Sequence, residues 1–471
     1  MNKLLPLGVI TSMLLTGCGG SDSGGGGSAP APQKYKWQFV QMKELTKTGM
    51  TQFCGNSTAT TFSVDETDAD SANWLYTFAV KAPTISDILV YNSNGTLYTE
   101  GSLTKHNVHQ TEGTLEFTED DIPDGGYITV VDTENGIDNV LVVQKEALVD
   151  GMIKVNYNQG QQQCYSSNAL KADLNKKKIN IATFSGVATT NVETYFDGKL
   201  PKDNGTLKED LTVLSTSESV LLSGYDADGD INAFAYVDKN QLSNMATVTP
   251  NTISVEPIFD KANIDLVGSV SGDFDELSIN SIYKGNIFEW FTWSQYSASF
   301  DAWAPLDPAY SYSAFYQGEF NGWDVVINQP ISEGYTSIDL STLDMNTTAL
   351  ALDCSGSICS LDMSDVTAQS VSVSEVNFSQ GNARYTVFAS GSDITIPKIS
   401  GVDYPTQSTS LKTSFLLASE NNTELTQAFY VLDNTKNYQP SAEYVEMILP
   451  PALDIKHNET LTTNQYTYIS R

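Results

Sequence analysis

The chain has 471 residues, of which 57 are acidic and 25 basic, for a formal charge of −32. That excess argues against nucleic acid, whose binding rests on Lys and Arg meeting phosphates, and against lying flat on anionic lipid. The length exceeds what one hydrophobic core holds and predicts roughly three or four domains.

At the N-terminus Lys3 supplies a positive charge, and Leu4 to Leu15 is mostly apolar. This layout reads as a secretory signal, too short to span a bilayer as a helix. It ends in Leu15-Thr16-Gly17-Cys18. A small residue followed by Cys resembles the lipobox of bacterial lipoproteins. The resemblance implies cleavage after residue 17 and acylation of Cys18 on its sulfur and its new amino group. In that family an Asp after the Cys holds the protein in the inner membrane. Here the residue is Gly19, so the resemblance implies transport to the outer membrane. Several acyl chains would anchor the protein firmly, since each buried methylene adds about 0.8 kcal/mol.

Residues 18–34 carry a run of Gly and Ser and then Ala-Pro-Ala-Pro. This is a tether, flexible at first and stiffer at its end, with a reach of about 20–25 Å. Folded structure is expected from Tyr35-Lys36-Trp37 onward. After Cys18 the apolar runs are strand-sized, as in Val140-Leu141-Val142-Val143, which leaves the lipid as the expected anchor.

Short runs rich in Val, Ile, Thr, Tyr and Phe then recur between Gly, Asn, Asp and Ser clusters. Examples are Leu75 to Val80, Val371 to Val373, and Tyr385 to Phe388. They predict a mainly β chain of tandem β-sandwich-like domains. The domains are placed at 35–165, 166–272 and an aromatic-rich 273–405, followed by a C-terminal β segment at 406–471. Short helices are expected only near Lys208 to Leu214 or Ser364 to Gln369.

A strand–turn–strand pattern repeats weakly. Gly126 to Val131 leads through Asp132 to Gly136 into Val140 to Val143. Ser219 to Leu222 leads through Asp226 to Asp230 into Ala233 to Val237. A fainter copy joins Ser414 to Leu417 with Ala428 to Val431. Each copy predicts a hairpin with a turn rich in Asn, Asp and Gly.

Four cysteines remain after Cys18, and parity in an oxidising compartment predicts two disulfides. Proximity pairs Cys354 with Cys359, which leaves Cys54 for Cys164. Zinc is disfavoured, because no CxxC occurs and His106, His109 and His457 are the chain's three His.

Asp226-Ala227-Asp228-Gly229-Asp230 is the one calcium candidate, since alternate carboxylates can converge on a hard cation. Its Gly is fourth instead of sixth, and Val237 stands where the EF-hand loop has Glu, so an acidic turn explains it equally well. The remaining acids are scattered, which favours solubility over cation binding. No cofactor is expected.

Residues 283–323 hold fourteen aromatics, among them Trp290, Trp293, Trp303 and Trp323. Such density serves either a core of cross-strand pairs or an exposed platform that stacks on sugar rings or another chain. Core is the expected outcome, because Phe288 and Trp290 alternate onto one face and aromatics of soluble proteins are usually buried. Enzyme signals are poor: HExxH, GxSxG and phosphate-loop motifs are absent. Glu289 and Asp301 would be the first carboxylate pair to test for glycoside chemistry, with Asp324 nearby in sequence.

A large, acidic, β-rich, cysteine-poor lipoprotein on a Gly-Ser tether also resembles the surface lipoproteins of marine gammaproteobacteria. Some of those build the membranous sheath around polar flagella. The expected function is non-enzymatic: a structural or interaction role at the outer-membrane surface. The alternative is a carbohydrate-binding or glycan-acting lipoprotein that uses the aromatic segment.

Overall fold

A computed structural model of the chain describes most of residues 31–166, the strands and some connections between 176 and 268, and most of 273–418. It also describes residues 425, 426, 429, 448, 449 and 463–471. These residues are mostly strand.

The first elements are β1 (Lys34–Thr46), α1 (Lys47–Cys54), β2 (Thr61–Asp65), β3 (Leu75–Lys81) and β4 (Asp87–Tyr91). They are followed by β5 (Thr114–Thr118), β6 (Tyr127–Glu134), β7 (Ile137–Gln144) and β8 (Gly151–Lys154). Strands β2, β3, β1 and β8 lie side by side in one sheet, and β5 also pairs with β1. The Thr46 hydroxyl caps α1 by accepting from the Gly49 amide, which lets the chain turn from strand into helix without an orphaned donor.

Strands β4, β6 and β7 leave that sheet and open an eleven-stranded one. Its later members are Phe274–Tyr283, Asn286–Trp293, Ser311–Phe320, Trp323–Pro330, Val373–Gln380, Ala383–Ser390, Leu411–Ala418 and Tyr466–Ser470. The large sheet therefore runs across the boundaries expected near residues 166, 273 and 405. Residues 191–252 contribute a separate four-stranded sheet built around Ser219–Tyr225 and Ile231–Asp238.

The large sheet is covered on both faces. On one side Ile128, Val130, Leu141, Val143 and Phe388 pack against Trp37, Phe39, Leu115 and Phe117 of the first sheet. On the other, Val131, Val140, Val142, Val387 and Phe415 share a core with Phe234, Ile264, Phe300 and Ile396 of smaller sheets. Two-sided burial explains why Val140 to Val143 is apolar at every position: successive residues enter alternate cores.

The first two hairpins of the repeat are present. β6 pairs antiparallel with β7 across Asn135-Gly136, and both turn residues have positive φ (54° and 79°). That conformation suits Asn and Gly and matches strand twist. Ser219–Tyr225 pairs antiparallel with Ile231–Asp238. The third copy is different. Leu411–Ala418 pairs with Val373–Gln380 and Tyr466–Ser470, and Phe429 is helical and buried. Both neighbours of that strand come from elsewhere in the chain, and Asn421-Asn422 lie outside the described residues. The helix expected at Lys208 to Leu214 gives way to a strand, Leu211–Leu214, paired with Lys176–Ile179. Around 364–369 the described residues form turns.

Both expected disulfides are present, Cys54–Cys164 and Cys354–Cys359, with Cα–Cα distances of 5.5 and 4.2 Å. Cys164 lies in a short strap along the outer edge of β3. There Gln163 O accepts from Lys81 N at 2.8 Å, and Tyr165 N donates to Ala79 O at 2.9 Å. The Cys354–Cys359 loop is held by Tyr404, whose hydroxyl accepts from Cys359 N at 2.7 Å and donates to Ile396 O at 2.6 Å.

Candidate functional site: the aromatic segment

The aromatic residues of 283–323 sit mainly on four neighbouring strands of the large sheet. Asn286–Trp293 lies at its edge, paired with Phe274–Tyr283. The register slips between Ile279 and Asn280, so Trp290 occupies a bulge. A bulge turns the strand locally, and here both Phe288 and Trp290 end in the same core.

Trp290 is 3% exposed. Its Nε1–H donates to Ser281 Oγ at 2.9 Å and to Tyr236 OH at 3.3 Å, and those two oxygens lie 2.6 Å apart. Tyr236 belongs to the four-stranded sheet and stacks on Tyr283 at 4.7 Å. Phe234, two residues earlier, meets Trp290 edge-on at 5.5 Å. The cluster thus fastens the 219–238 hairpin to the large sheet through ring contacts and one polar triad, each polar tip satisfied. Trp323 is fully buried beside Phe415, with the Arg471 guanidinium 5.4 Å from its ring centre. Burial removes Trp290 and Trp323 from the candidate ligand platform, because a ring packed on both faces cannot stack on a sugar.

Trp293 is different. It is partly buried, with Phe291 at 6.0 Å and Phe300 at 5.2 Å. Phe300 stacks on Phe274 at 5.8 Å, and Phe274 meets Tyr296 edge-on at 6.1 Å. Tyr296 is 51% exposed. Trp293 and Tyr296 therefore form the outer rim of a ridge whose inner rings are core. The side chain of Trp303 lies outside the described residues, as do those of Asp226, Asp228, Asp230, Asp301 and His457, and Cys18 as a whole.

Tyr296 and Phe274 did not stand out in the sequence. The signal for Tyr296 was its setting, Ser294-Gln295-Tyr296-Ser297, where one aromatic stands in a polar loop. Burial pushes the Tyr316 hydroxyl up to about 12, helped by Asp275 and Tyr296 nearby.

The expected carboxylates are not drawn into a pair by the backbone. Glu289 sits on the edge strand with its carboxylate on the Thr292 hydroxyl. Asp301 belongs to Ser299–Trp303 of a different sheet, and Asp324 is exposed. His106 and His109 are exposed, and His109 Nδ1 lies 3.2 Å from the Glu112 amide within a turn. Among the described residues, no three His, Cys, Asp or Glu side chains converge as metal ligands. No helix among them is long and apolar enough to cross a membrane. What the ridge offers chemically is ring stacking at Trp293 and Tyr296, flanked by hydroxyl and amide groups. No protein-family model matches the chain, and no curated protein is similar to it in sequence.

Proposed function

We propose that the chain is a non-enzymatic lipoprotein of the outer-membrane surface with a structural or interaction role, anchored through acylated Cys18. The observation that carries this reading is the order of the N-terminal segments. A basic residue, an apolar run and Leu15-Thr16-Gly17-Cys18 are followed by a Gly/Ser/Pro tether that ends where β1 begins at Lys34. Two disulfides support an oxidising compartment. The charge of −32 suits a crowded surface, where like-charged neighbours repel and stay soluble. The flagellar sheath is the specific setting that the compositional resemblance offers. The test is a tagged full-length protein, followed by surface proteolysis of intact cells. Cleavage in intact cells is expected, and complete protection with periplasmic release rejects the reading.

A second reading, glycan binding, keeps one specific observation: Trp293 and Tyr296 remain on the rim of the aromatic ridge. It requires those rings, and not Trp290 or Trp323, to carry the contact.

A further inference from the structure

The two edges of the eleven-stranded sheet differ. At one end stands β4, and the chain covers it with its own backbone. Tyr98 N donates to Val90 O and Asn92 N to Thr96 O, both at 2.8 Å. At the other end stands Asn286–Trp293, paired on its inner side with Phe274–Tyr283. Among the described residues nothing pairs with its outer side. A row of unpaired N–H and C=O groups is a template for a further strand, and sheets usually guard it with Lys, Pro or a bulge. Residues 286–293 hold no Lys and no Pro. The guards present are the bulge at Trp290 and the carboxylate of Glu289, which accepts from the Thr292 hydroxyl.

Apolar surface lies beside this edge. Ile287, Phe291 and Trp293 are half-buried, Tyr296 is 51% exposed, and Val267 is 46% exposed. Leu266 N donates to Ala298 O at 3.0 Å, which brings Val267 to the loop that carries Tyr296. The strip is also nearly uncharged. Glu289 is the one charged residue of 286–300, in a chain of −32.

We propose that this edge binds the same edge of a second copy of the chain, as an antiparallel pair about a two-fold axis near Trp290. Two identical strands set antiparallel match donor to acceptor, because a two-fold contact uses the same patch on both subunits. The axis sets the Asn286 end of one copy against the Trp293 rim of the other. Strand pairing and ring burial then act together, and both rims are covered at once, where a foreign peptide would cover one. Two chains at −32 repel, and a strip with one charged residue is where they approach at least cost. The covered β4 edge stops assembly at two chains, whereas two bare edges would propagate a fibre.

The test uses the full chain carrying Cys18→Ser, so that no acyl chain drives association. Sedimentation across about 1–500 μM should show monomer passing to dimer and nothing larger. Over that range amide exchange at 286–293 should slow about 10-fold or more, while 87–98 stays unchanged. Ile287→Asp adds like charge to both copies at a partly exposed side chain and should weaken the dimer about 10-fold or more. Leu97→Asp adds the same charge at the covered edge, on a side chain 50% exposed, and should leave the dimer unchanged. Excess synthetic peptide of sequence 286–293 should replace the dimer by a complex of one chain with one peptide, and a scrambled peptide should not. The exchange and peptide readings need no substitution in the strand. Larger assemblies, unchanged exchange at 286–293, or a dimer that ignores Ile287→Asp, yields to Leu97→Asp or resists the peptide overturns the proposal. A chain that stays monomeric throughout overturns it too, even if it binds the peptide.

Discussion

The two disulfides should differ in what they contribute, and the difference follows from their loops. Cys54 and Cys164 lie 110 residues apart, and Cys354 and Cys359 lie 5 apart. Closing loops of these lengths restricts the unfolded chain by about 16 and about 7 cal/mol/K, or about 5 and about 2 kcal/mol at 25 °C. The perturbation is Cys54→Ala with Cys164→Ala, against Cys354→Ala with Cys359→Ala. Both Cys54 and Cys164 are partly exposed, and α1 buries no residue, so the first pair leaves little cavity. Cys359 is 1% exposed, which adds a small packing loss to the second pair. Urea unfolding at fixed pH and salt, followed by near-ultraviolet circular dichroism, reads both. The first variant should lose more than twice the stability lost by the second. Equal losses, or a smaller loss for the long loop, would refute the entropic reasoning. They would mean that the β3 strap detaches before the fold as a whole unfolds.

Other outcomes follow from the same structure. Trp290→Phe removes one donor and part of a ring but leaves Tyr236 and Ser281 bonded to each other, so urea unfolding should show a loss of about 2 kcal/mol. Burial pushes Tyr91 and Tyr316 up to about 12, and raises Tyr385 and Tyr466 too. These phenols ionise more readily in the unfolded chain, so stability is full below about pH 10 and falls as pH rises through 12. Phenolate absorbance should then appear together with loss of the dichroism signal; a gradual titration with the fold intact would count against it. Added sodium chloride should raise the urea midpoint by screening self-repulsion at −32. If glycan binding operates, Trp293→Ala and Tyr296→Ala should abolish signal on a glycan array while Trp290→Phe preserves it; the reverse order would place the contact elsewhere.

Strand class, hairpins and cysteine pairs were legible because they rest on local chemistry. Asn135-Gly136 favours the left-handed turn wherever it sits, and Cys354 and Cys359 are too close to choose distant partners. The large sheet was not legible. Val140 to Val143 read as one buried strand, but nothing local says that its parallel neighbour is Ala383–Ser390 or that β6 and β7 share a sheet with Tyr466–Ser470. Long-range pairing also explains the failed third hairpin at Leu411–Ala418. In the aromatic segment, alternation identified Phe288 and Trp290 as core, although the bulge at Trp290 was invisible. Of the rim, Trp293 was named from sequence and Tyr296 was missed, because its exposure depends on how residues 294–299 face water and composition alone ranks Trp above Tyr.

The intact mass of the protein extracted from membranes shows whether Cys18 carries its anchor. The expected result is a polypeptide that begins at Cys18 with acyl groups added, and a Cys18→Ser form that stays unprocessed or leaves the membrane fraction. A membrane-derived protein beginning elsewhere without added lipid, or unchanged fractionation of the Cys18→Ser form, would contradict it.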